Sequence, residues 1–130
     1  MTIKSTIAHD IIYTEFSGEL VLEAALKHID FILSLKNQFS SIYEVHDHTN
    51  TNAIKLSADD IQKIASYSIK LKDYFRPYFI SIYAPTDFTF GMARMFQAYY
   101  TIAGHVINTE IFRNKEVAIQ FLKDNKRTDS

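Results

Sequence analysis

Tyr78-Phe79-Ile80-Ser81-Ile82-Tyr83-Ala84, closed by Pro85, is the stretch on which the reading of the fold turns. Every position except Ser81 is apolar or aromatic, and a strand with no polar alternation has both of its faces covered. Pro85 cannot donate to a ladder and ends the run. We therefore read it as the central strand of a parallel sheet. On its N-terminal side Pro77 forbids a helix from continuing past Arg76. Further back, Ser57 and Asp60 have the spacing of an N-cap with a capping-box partner, Asp standing where Glu or Gln is usual. Ile61, Ile64, Ala65 and Leu71 then keep helical spacing. On its C-terminal side Asp87 to Ala103 reads as a helix, Gly104 as its stop and Val106 to Phe112 as a strand. Asn114 reads as the cap of a last helix running through Lys123.

The N-terminal half supplies the remaining elements. Thr2 to Ala8 and Ile11 to Ser17 are β-branched runs separated by His9-Asp10, which predicts a hairpin whose second strand stops at Gly18. From Glu19 to Lys36 the residues Glu19, Glu23, Lys27, Asp30 and Ser34 fall on one stripe and Leu22, Ala25, Leu26, Ile29, Ile32 and Leu33 on the other, as in a half-buried helix. Ile42 to His48 returns to strand character. The order is ββαβαβαβα, and right-handed crossovers of this kind give an α/β fold with a mainly parallel sheet covered by helices. Three glycines and two prolines leave no stretch that reads as a linker. The expectation is one domain over residues 1–122, with 123–130 as a frayed tail.

The composition excludes several classes. Fourteen Lys and Arg against 15 Asp and Glu give a formal charge of −1, too balanced to neutralise a phosphate backbone, so nucleic acid is not an expected partner. The absence of cysteine removes disulfides, thiol catalysis and thiolate metal sites, and makes a reducing cytoplasm the expected compartment. No apolar run reaches the roughly eighteen residues of a membrane span, and Met1 to Asp10 lacks the basic-then-apolar order of a signal peptide.

Two stretches carry a resemblance. Ala84-Pro85-Thr86-Asp87-Phe88-Thr89-Phe90-Gly91-Met92-Ala93-Arg94-Met95-Phe96 and Ile111-Phe112-Arg113-Asn114-Lys115-Glu116-Val117-Ala118-Ile119-Gln120-Phe121-Leu122 both resemble the SpoIIAA-like proteins of the wider STAS class. In that family a strand ends in an Ala-Pro-x-Asp turn leading into a Phe-Gly-x-Ala-Arg-Met-Phe helix, and the chain closes with Val-x-x-Phe-Arg and an acidic-Ala-x-x-Trp-Leu helix. Phe121 stands where Trp is common. The resemblance implies a sheet-and-helix sandwich of the same ββαβαβαβα order. It does not imply the phosphoswitch of the anti-sigma antagonists, because Asp47-His48-Thr49-Asn50-Thr51-Asn52 contains no Asp-Ser-Ser-Gly turn.

Two places could carry chemistry. His46 and His48 project to one side of a strand while Asp47 projects to the other, which opposes a catalytic dyad. Without a third ligand at readable spacing the two histidines predict no metal site. The plainer role for Asp47 is to accept hydrogen bonds from an Asn50 to Ala53 loop. The second place is the Thr86, Asp87, Thr89 turn, with Gly91 allowing close backbone approach and Arg94 one turn on, an arrangement suited to an anion. The structural alternative pairs Arg94 with Asp87 or Asp47. Phe88, Met92, Met95, Phe96 and Tyr99 wrap more than one face of a helix, so they offer a core, a homodimer surface or the wall of an apolar crevice.

The leading expectation is a non-enzymatic STAS-like module that binds a partner protein, or a small apolar or anionic ligand, beside residues 86–100 at the strand ends. Asp47, His48, Thr86, Asp87, Thr89 and Arg94 are its candidate ligand residues, and no cofactor is expected. The rival expectations are a hydrolase or transferase using the His46, Asp47, His48 strand end, and a structural subunit of a homo-oligomer.

Overall fold

His9 and Asp10 both take left-handed backbone, with φ of 53° and 64°. Two such residues form the tight turn that matches strand twist. They join β1 (Thr2–Ala8) to β2 (Ile11–Val21), paired antiparallel from Ala8 against Ile11 to Thr2 against Ser17. The computed structural model describes residues 1–102 and 107–126. Within them follow α1 (Leu22–Leu33), β3 (Ile42–Lys55), α2 (Ala58–Ser68), a 3-10 turn over Ile69–Asp73, β4 (Tyr78–Tyr83), α3 (Asp87–Ile102), β5 (Ile107–Phe112) and α4 (Lys115–Lys126). The sheet runs β1-β2-β3-β4-β5, with every pair after the first parallel. The predicted α/β order is the observed one.

The differences lie at element ends. Gly18 does not stop β2. It sits at φ +95° between two register shifts, and the strand continues to Val21. An added Cβ there would meet only the Met1 backbone at 3.7 Å, so the demand for glycine comes from φ and not from space. This continuation displaces the start of α1 to Leu22 and gives β3 a partner as far as Lys55. Asn50 to Ala53 is therefore strand, and the loop expected to bond Asp47 does not form. The middle strand is β3, while β4 lies between β3 and β5. Lys123 to Lys126 belongs to α4, so the C-terminal tail does not begin at 123. Gly104, Val106 and residues 127–130 lie outside the described residues.

Ser57 caps α2 as its spacing predicts: its Oγ accepts from Asp60 N at 3.1 Å, and Asp60 Oδ2 accepts from Ser57 N at 3.1 Å. The helices divide three to one across the sheet. Ile12, Ile42, Ile80 and Ile82 form a core with Ile29 and Ile32 of α1, Ile64 of α2 and Ala93 of α3. Ile11, Tyr43 and Val45 pack on the other side with Leu122 of α4. Strand alternation sorts these sets, so even positions of β3 face α1, α2 and α3 while odd positions face α4.

Candidate functional site

Glu44, His46 and His48 occupy successive even positions of β3 and therefore share the three-helix face. Glu44 is only 1% exposed. A carboxylate this deep costs several kcal/mol in lost hydration unless its neighbours compensate. Thr14 Oγ1, from the adjacent strand, donates to Glu44 Oε2 at 2.7 Å, and Thr14 in turn contacts Ser5 Oγ at 2.9 Å. His28 Nε2, from the buried stripe of α1, donates to the same carboxylate oxygen at 2.6 Å. His46 Nε2 lies 2.8 Å from Glu44 Oε1. Neither of those last two atoms has any other partner in the protein, although both are buried.

Burial pushes the Glu44 carboxyl up, but His46 and His28 outweigh it by charge and hydrogen bonding and hold it well below the usual carboxylate range. The group is a buried anion. Its charge is felt across the site. Burial first and Glu44 second raise the Tyr100 hydroxyl to about 12, opposed by a hydrogen bond with Ser68, and burial with the Glu44 and Tyr100 charges raises Tyr78 further. Both phenols stay protonated. His48 is pushed down to about 3 by burial and by His46, against the pull of Asp47, so it is neutral. The Thr51 hydroxyl donates to the Phe16 carbonyl at 3.3 Å, which leaves His48 Nδ1 as the donor to Thr51 at 3.0 Å. The Phe16 ring stacks on His48 at 4.5 Å between centroids and meets His28 and His46 edge-on.

These polar groups close one end of a cavity of about 80 Å³ between the sheet and α1, α2 and α3. Its walls include Ile29, Ile32, Ile64, Ile80, Ile82 and Met92. Thr109 Oγ1, also in the lining, is buried and unpaired within the protein. Buried polar atoms are nearly always paired, yet along this lining Thr109 Oγ1 has no partner, and Glu44 Oε1 and His46 Nε2 meet only each other.

The residues predicted to form a strand-end site do not converge. Asp47 faces α4. Its Oδ1 accepts from Thr49 N at 2.9 Å and Thr49 Oγ1 at 2.6 Å, and Lys115 Nζ lies 3.1 Å from Oδ2. Burial raises the Asp47 carboxyl, but the two Thr49 bonds and Lys115 together leave it below its ordinary value. The His46, Asp47, His48 dyad is accordingly divided between two faces. Thr86 and Thr89 satisfy each other: Thr89 N donates to Thr86 Oγ1, and Thr86 N to Thr89 Oγ1, each at 3.1 Å. Asp87 pairs with Arg113 at 2.7 Å, not with Arg94. Arg94 is exposed and outside the cavity lining, bordering an adjoining hollow with Gln97, Ala98 and Thr101 that shares Tyr100, Ile107 and Thr109 with the cavity. At Gly91 an added Cβ would meet no protein atom within 4 Å. The apolar set of α3 also divides: Met92 and Phe96 line the cavity, Met95 and Tyr99 are half-buried, and Phe88 is 48% exposed.

Glu44 and His28 were absent from the expected site. Glu44 was legible, because it stands two residues before His46 on the same strand face. His28 was not, because only the docking of α1 brings it to β3.

No known protein family matches the chain, and no curated protein matches it. Among solved structures it is similar to an uncharacterised protein of the DUF3478 family with a SpoIIAA-like fold, from Shewanella loihica PV-4. The TM-score is 0.60 at 17% identity, covering 93% of this chain and 92% of that one. No helix of the described residues is long and apolar enough to cross a membrane. The mainly parallel sheet, its three-to-one division of helices and this likeness together establish that the chain has a SpoIIAA-like fold.

Proposed function

We propose that the chain is a STAS-like binding module that takes up a small uncharged molecule in the cavity between β3, β4 and the three-helix layer. The observation that supports this is the pairing of apolar walls with a polar end at Glu44 and His46, and with an unpaired Thr109 hydroxyl two strands away on β5. Size limits the guest. Cavities of about 150 Å³ take up benzene, so about 80 Å³ suits three or four non-hydrogen atoms. Charge limits it further. The buried Glu44 anion disfavours the anionic ligand considered from the sequence and favours a hydroxyl or amide that donates a hydrogen bond. A protein-binding role for α3 has less to work with, since Met92 and Phe96 are committed to the interior.

Methyl NMR with propan-1-ol as the probe tests the proposal. Saturable shifts at Ile80, Ile82 and Met92, with weaker ones from propionate, are expected. Shifts confined to the Arg94 hollow, or no saturation, would overturn it.

A further inference from the structure

We propose that His28 Nε2, Glu44 Oε1 and His46 Nε2 form a three-ligand site for a divalent first-row transition ion, with its open position facing the cavity. The inference rests on the cavity assigned above and specifies the chemistry of its polar end. The three ligand atoms all lie within 4.8 Å of one another. Donors bound to zinc at about 2.0–2.1 Å in a tetrahedron stand roughly 3.3 Å apart. The 2.8 Å separation of His46 Nε2 from Glu44 Oε1 therefore needs to widen by about half an ångström, and His28 Nε2, now 2.6 Å from Oε2, needs to turn from that oxygen toward Oε1. That adjustment is within reach of side-chain rotation.

Three further observations favour an ion over a simple buried ion pair. Glu44 Oε1 and His46 Nε2 are buried with no partner beyond each other, and they are two of the three atoms required. Glu44 Oε2 is held by Thr14 as well as by His28, so Thr14, backed by Ser5, would keep the carboxylate oriented with Oε1 toward the ion once His28 turns to it. The donor set of two imidazoles and one carboxylate suits zinc, cobalt or iron in the divalent state and not magnesium or calcium, which prefer oxygen alone. Each imidazole must bind through an unprotonated Nε2, so loading displaces any proton from those atoms. An alcohol or amide oxygen in the cavity would then lie against the open position.

The test starts from chain dialysed against chelator, then titrated with Co²⁺ and with Zn²⁺ while visible absorption and native mass are recorded. One ion per chain is expected, with cobalt d–d bands of a mixed imidazole and carboxylate site. Glu44→Gln and His46→Ala should weaken uptake more than about 100-fold, and Thr14→Val by about 10- to 100-fold. His9→Ala, on the exposed hairpin turn, should leave it unchanged. Thr14→Val keeps all three ligands, so a selective loss there with unaltered circular dichroism separates coordination from misfolding. Absence of saturable uptake by the unmodified chain, or retention of full affinity in Glu44→Gln and His46→Ala, would overturn the proposal. Propan-1-ol shifts recorded on chelated chain decide the cavity reading separately.

Discussion

The two faces of β3 are built from neighbouring residues and differ in what they tolerate. Toward α4, Tyr43 and Val45 are buried against Leu122, and Asp47 is answered by Thr49 and Lys115 at the rim. On the next strand, fully buried Ser81 donates from its Oγ to the Ala118 carbonyl at 2.7 Å. Toward the other helices, Glu44, His46 and His48 carry ionisable groups into a layer that still encloses about 80 Å³. Among the described residues no part of α4 lines that space. One face is packed for stability, with the Tyr43 hydroxyl its one unpaired buried atom among the described residues. The other holds buried polarity and unfilled volume together, a combination that weakens a core and suits a binding site.

The largest difference between the faces should follow loss of the buried anion. Glu44→Ala leaves His28, His46 and Thr14 without their shared acceptor, and breaking a buried pair of this kind costs about 3–5 kcal/mol. Denaturant unfolding should show it. Asp47→Ala, where the partner Lys115 is half-exposed and only one ion pair is lost on the α4 side, should cost less than half as much.

Acid should act next. Below pH 6.5 the unfolded chain protonates His48, while the native state refuses that proton until its own value of about 3. Stability is therefore complete above pH 6.5 and falls as the pH drops toward 3. Between 6.5 and 5.0, above the ordinary carboxylate range, the expected loss is about 1–2 kcal/mol. His48→Gln should flatten that part of the curve, and an unchanged slope would place the cause elsewhere.

Added volume should separate the faces by sign or size. Ala118→Leu overpacks a fully buried position on α4 and should cost about 1–3 kcal/mol. Ala93→Leu extends into the cavity and should stay within about 1 kcal/mol of wild type by thermal unfolding. The smallest effect belongs to Arg94→Ala, exposed and away from the cavity, which should move stability by no more than about 0.5 kcal/mol and leave binding intact.

What could be read from the sequence follows from the range of the interactions involved. The capping box at Ser57, the unbroken apolar strand at Tyr78 and the helical stripe of α1 are local patterns, and each element formed where its pattern lies. The extension of β2 through Gly18 depends on its long pairing with β3, a contact between distant segments that no local pattern carries. The site fails for the same reason. Thr86, Asp87 and Arg94 looked convergent in sequence, yet their hydrogen bonds close locally or reach Arg113. Glu44 was readable by alternation with His46 and His48, whereas His28 and Thr14 reach it only through helix docking and strand pairing.

Uptake of a guest by the cavity, and not by the α3 turn, is the property on which the proposed function stands. Parallel propan-1-ol titrations of wild type and Ala93→Leu, followed at the Ile80 and Met92 methyl signals, measure this. Saturable shifts in wild type that vanish in the folded variant are the predicted result. Equal shifts in both proteins, or shifts at Arg94 alone, would contradict it.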